Sequence, residues 1–134
     1  MNSKIWQRIG LVLAILLLGT LLNSGYFFLG MLNLSVGRWL AFNACSWAII
    51  VYLFCYVLFR VIRKDELLAI PLLPLYYYGT MGLFVMPWNA ANTFAQVTHV
   101  LITLNIFWIL FRLLKARKFE SLGRGLFAGM IVFV

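Results

Sequence analysis

The chain has 134 residues, of which 65% are hydrophobic and 10% charged, with a net charge of +8 and a mean hydropathy of +1.01. Soluble domains are nearer half apolar and a quarter charged, and so small a domain has too little interior to hide this much apolar surface. A soluble globule, a disordered chain and a disulfide scaffold are excluded, which leaves an integral membrane protein.

Eleven Lys and Arg stand against Asp65, Glu66 and Glu120. In a soluble protein that balance would suggest nucleic acid. Here the basic residues occupy short segments between long uncharged runs, too short to fold into a nucleic-acid module. The preference of cytoplasmic loops for Lys and Arg accounts for them instead, and no nucleic-acid partner is expected.

The uncharged runs are Ile9–Gly37, Trp39–Phe59 and Leu67–Phe111. One helix crosses the hydrocarbon in about 20 residues. The first two runs are one span each, and the third holds two spans and a turn at Pro87-Trp88-Asn89-Ala90-Ala91-Asn92. The fold class predicted is all-α, a polytopic transmembrane bundle forming a single domain over 1–134. Its helices are placed near 9–32, 39–60, 70–87 and 91–112, with a short fifth apolar segment at 125–134.

Lys4 and Arg8 precede the first helix, and no A-x-A-like site follows its apolar run. An uncleaved span is therefore expected rather than a signal peptide. Cys45 and Cys55 lie on the second helix, about 15 Å apart along its axis, too far to pair with each other. Pro71 and Pro74 open the third helix, which is expected to begin at about Pro71 with 67–70 along the interface. Trp6, Trp39 and Trp88 suit interfaces, and at least one hydroxyl of Tyr76-Tyr77-Tyr78 should find a partner in the bundle. Ser121 is a candidate cap for the last segment. That segment is expected either to continue as a fifth helix beyond the sequence given or to be a half-helix covered by a partner.

Of the eleven basic residues only Arg38 falls on the far side of this arrangement. The N-terminus is accordingly predicted to be cytoplasmic, in a bacterial or archaeal cytoplasmic membrane. Arg60, Arg63, Lys64, Arg112, Lys115, Arg117 and Lys118 then form an inner rim expected to attract anionic lipid heads.

No Asp or Glu lies within a predicted span, which argues against proton- or sodium-coupled exchange through a membrane carboxylate. His99 is the only histidine, and no phosphate-binding or zinc-protease motif is present, so catalysis is not the expected role. Neither a cofactor nor a metal is assigned. Haem on His99, which would need a second axial ligand from elsewhere, and quinone remain lesser alternatives.

The most informative pattern is a polar stripe on the fourth helix. At 100° per residue, Asn89, Asn92, Gln96, His99 and Thr103 share one face, with Thr98 and Asn105 roughly opposite. Gln96 and His99 fall roughly 8–12 Å below the outer boundary of a ~30 Å core. Asn23 and Ser24 on the first helix and Asn43 and Ser46 on the second reach similar depths. The candidate polar layer is therefore Asn23, Ser24, Asn43, Ser46, Asn92, Gln96 and His99, and the last two are expected to contact helices 1 and 2. The layer is either hydrogen-bonding glue between helices or a pocket for a neutral polar or amphipathic ligand.

Three functions follow. The first is a non-catalytic subunit or accessory component of a larger membrane complex. The second is a small transporter, flippase or lipid- or quinone-binding unit using the polar layer. The third is a haem-binding or enzymatic subunit centred on His99. The partners expected are membrane lipids and other membrane subunits or further copies of the chain.

Overall fold

The computed structural model describes residues 3–31, 33, 35–42, 44–115 and 117–133, and Asn43 lies outside them. All regular structure among them is helical. Four helical stretches are long and apolar enough to cross a membrane: Lys4–Met31, Cys45–Ile62, Glu66–Val85 and Thr93–Lys115.

The first stretch is α1 (Ser3–Gly25) continued by a π-helical turn, Tyr26–Met31. The second is α3 (Ala44–Ile62), preceded by the short α2 (Val36–Phe42). The third is broken into α4 (Glu66–Ala69), α5 (Leu72–Leu75), a π-helical turn (Tyr76–Thr80) and α6 (Gly82–Val85). A single turn at Ala90–Asn92 leads into α7 (Thr93–Lys115), and α8 (Phe119–Phe133) closes the described chain.

The third stretch differs most from expectation. Helix begins at Glu66 rather than Pro71, and Pro71 stands at the break between α4 and α5. A proline has no N–H to continue the ladder, so the break falls where the sequence removes a donor. Further on, Met81 N–H donates to Tyr76 O at 3.0 Å, the i→i+5 bond of a π turn.

The core gathers Leu17, Ile49, Tyr52, Leu75, Ile102 and Ile109 from four stretches, each no more than 1% exposed. α1 and α7 run antiparallel in close contact. Trp108 Nε1 donates to Trp6 O at 2.9 Å. A Cβ on Gly10 would stand 2.5 Å from Trp108 Cε2, so only glycine lets the indole lie on α1 here.

Helix α8 runs beside α4 and α5 and parallel to them. Gly125 and Gly129 make this possible. A Cβ on Gly125 would lie 2.6 Å from the Glu66 carbonyl oxygen, and one on Gly129 would enter the Ile70 carbonyl. This is the small-xxx-small packing that lets helix backbones approach. The spacing Gly125-x-x-x-Gly129 was a readable signal that the sequence reading missed. The helix starts at Phe119, two residues before the expected cap Ser121.

One end of the molecule carries nearly all the charge. There Lys118 pairs with Asp65, Arg112 Nε lies 3.9 Å from Asp65 Oδ1, and Arg124 reaches Glu66 at 3.7 Å and also pairs with Glu120. Asp65 and Glu66 thus tie the end of α7 and the start of α8 to the start of α4, while Glu120 pairs within α8. The opposite end holds Asn33, Ser35 and the turn 87–92.

Candidate functional site

Two faces of α7 carry polar groups toward the end opposite the charges. On the first, Asn89 accepts from Asn92 N–H at 3.0 Å and so caps the helix. Asn92 Nδ2 donates to Pro87 O at 3.1 Å. One turn on, Gln96 is 1% exposed and His99 4%. Gln96 Nε2 donates to Met86 O at 2.9 Å and to Gly82 O at 3.2 Å. Both amide protons being spent on carbonyls, Oε1 faces His99 Nδ1 at 2.9 Å, which must therefore carry the proton. Thr103 donates to His99 O at 2.9 Å, so the 2.9 Å Thr80–Thr103 contact has Thr80 as donor.

The partners of this stripe differ from expectation. Gln96 and His99 face the third stretch, not helices 1 and 2. Two sequence features explain the choice. First, Pro87 ends α6 and supplies no N–H to Leu83 O, which takes Trp88 Nε1 at 2.9 Å, while Met86 O is left for Gln96. Second, Gly79 and Gly82 let α7 approach: a Cβ on Gly82 would stand 2.6 Å from His99 Nδ1, and one on Gly79 2.6 Å from Ile102 Cγ2.

The second face holds Phe94, Ala95 and Thr98. It does not close on its neighbours. Between it, α1 with its π turn, and α3 lies a cavity of about 470 Å³. Its polar lining includes Thr20, Asn23, Ser24, Cys45, Ser46 and Thr98, and its apolar lining includes Phe27, Phe28, Met31 and Ile49. None of the described lining residues carries a formal charge. Thr20 and Thr98 donate to carbonyls of their own helices, Leu17 O at 2.8 Å and Phe94 O at 3.2 Å, so each keeps lone pairs for a guest. Ser24 Oγ accepts from Trp39 Nε1 at 3.0 Å. Trp39 is thereby buried, 7% exposed, over Gly25. The π turn that forms one wall is a geometry frequent at functional sites.

Of the candidate polar layer, then, Asn23, Ser24 and Ser46 surround the cavity, and Asn92, Gln96 and His99 form the bonded stripe on the other side of α7. Tyr76, Tyr77 and Tyr78 are 51%, 67% and 38% exposed and turn away from the bundle, contrary to the expectation of a partner within it. Cys45 and Cys55 are free thiols. Among the described residues no three His, Cys, Asp or Glu side chains cluster as metal ligands would.

At the charged end, Arg112 and Lys118 are engaged by Asp65, whereas Arg60, Arg63, Lys64 and Arg117 are exposed and Lys115 Nζ lies 5.5 Å above the Phe111 ring. Arg63 and Arg117 adopt left-handed backbone, φ 67° and 56°, where α3 and α7 end. Comparison with known proteins finds no matching family, no matching characterised protein and no matching solved structure.

Proposed function

We propose that this is a multi-pass membrane protein whose working part is the cavity between α1, α3 and α7, and that it binds a neutral amphipathic molecule there. The observation that carries the reading is the cavity itself, lined by uncharged hydroxyl, amide and thiol groups together with aromatic and aliphatic groups. A guest with a hydroxyl or amide head and an apolar body matches both. A charged head would lose its hydration without gaining a counter-charge. Binding is favoured over passage because the buried side chains of Leu17, Ile49 and Ile102 fill the bundle between the cavity and the charged end.

Orientation follows from charge. The charged end, with Arg60–Lys64 and Lys115–Lys118, belongs in the cytoplasm, which sets the cavity in the outer half of the membrane. In a variant with Cys45 and Cys55 replaced, a thiol at Asn89 is expected to react with an impermeant reagent added outside cells, and one at Lys115 is not. The reverse labelling would overturn the orientation.

Ala95 lines the cavity, and its side chain makes no hydrogen bond. Ala95→Phe should fill the space and abolish retention of small apolar-bodied molecules, read by native mass spectrometry of protein purified in mild detergent. Wild type that retains nothing, or a variant that retains as much as wild type, defeats the reading. The same spectra address a second one, a component of a larger assembly. What favours it is the exposed face of α8 bearing Phe127, Met130 and Ile131.

A further inference from the structure

At the charged end, on the side of α7 away from the cavity, α1 and α7 leave a groove of about 680 Å³ open to the surroundings. Its walls are apolar: Ile9 and Leu13 from α1, Leu104, Phe107, Leu110 and Leu114 from α7. A second hollow of about 390 Å³, against α1, shares Ile9 and Leu13 and adds Arg8, so it adjoins the groove.

The cations at its mouth are arranged differently from the rest of that end. Asp65, Glu66 and Glu120 neutralise Arg112, Lys118 and Arg124 on the α4–α8 side. No acidic residue stands on the groove side. Arg8 is exposed beside the apolar wall. Lys115 is held at the rim by its position over Phe111, whose ring lies 4.7 Å from that of Trp6. A long apolar trough with unneutralised cations at one end is complementary to an acyl chain carrying an anionic head.

We propose that this groove binds one anionic phospholipid of the leaflet at the charged end, with an acyl chain along Ile9, Leu13, Leu104 and Leu110 and its phosphate at the rim set by Arg8 and Lys115. The site is separate from the cavity, lying on the opposite face of α7, so either can fail alone. It also narrows the anionic-lipid contact expected of the whole inner rim to one groove, and brings in Arg8.

The test uses the full chain in nanodiscs of phosphatidylglycerol and phosphatidylcholine, released into native mass spectrometry. Wild type should retain phosphatidylglycerol in preference to phosphatidylcholine, with one tightly held molecule per chain, and high salt should weaken the preference. Arg8→Gln and Lys115→Gln should each lower it about fivefold and together about 20- to 30-fold. Leu104→Trp, which fills the groove with both charges in place, should remove the tightly held molecule. Equal retention of the two lipids by wild type overturns the proposal even if no variant folds. An unchanged preference in the double glutamine variant, or in the tryptophan variant, overturns it as well.

Discussion

The two faces of α7 each carry polar groups at the same height and end in opposite states. Gln96, His99 and Thr103 meet a helix whose surface is glycine and threonine, and every step from Met86 O to Thr80 is a hydrogen bond of 2.9–3.2 Å. Thr98, with Ser24 and Ser46 across from it, meets helices that stand off and leave about 470 Å³ of space. What separates them is the partner. Small residues allow backbones to approach until side-chain amides reach carbonyls. The π turn at Tyr26–Met31 instead carries Phe27, Phe28 and Met31, whose bulk keeps α1 and α7 apart at that level. The hydrogen-bonded chain lies on one face of α7 and the open space on the other.

Gln96→Leu breaks that comparison most severely. It leaves the carbonyl of Met86 and the N–H of His99 Nδ1 buried without partners, at about 1–3 kcal/mol for each such group. Stability in detergent, measured by thermal or denaturant unfolding, should fall by about 2–6 kcal/mol on that account. Retention of a guest in the cavity should be unchanged. Ala95→Phe should do the converse, abolishing retention while altering stability by less than about 1 kcal/mol, because it fills space and unpairs nothing. If both variants lose stability and binding together, the two faces are one site and the division is wrong.

The existence of four apolar stretches was legible because crossing hydrocarbon is a demand on composition, and any run of sufficient length and apolarity announces itself. So was the stripe on α7, since a 3.6-residue period can be read without a structure. The neighbour of that stripe was not legible from the stripe. Gln96 and His99 specify only that something polar must cover them. The deciding residues lie elsewhere: Pro87, which leaves a carbonyl to be satisfied, and Gly79 and Gly82, which admit the ring of His99. Likewise the ten apolar residues after Arg124 say that α8 wants cover, but only the spacing of Gly125 and Gly129 against Ala69 says which helix provides it. The cavity was the least legible feature. It results from the failure of two surfaces to meet, and depends on the π turn of Tyr26–Met31, for which no sequence signal was evident.

The finest test of the division is a pair of hydroxyls. Thr103 spends its proton on His99 O and accepts from Thr80, so the two hydroxyls form one bond across the interface of α7 with the third stretch. Interhelical bonds of this kind contribute about 0.6 kcal/mol on average. Thr80→Val and Thr103→Val in a double-mutant cycle should therefore couple by about 0.6 kcal/mol, Thr103→Val being the costlier single change because it strands the Thr80 proton. Thr98→Val is the matching change on the other face. Its hydroxyl donates only to Phe94 O of its own helix, a bond that adds little to helix stability. Stability should be within about 0.5 kcal/mol of wild type, while retention of a hydroxyl-bearing guest should fall through loss of the Thr98 lone pairs. A coupling of zero for Thr80 and Thr103, or a stability loss at Thr98 as large as that at Thr103, would mean that the glycine-lined face is no more closed than the cavity face.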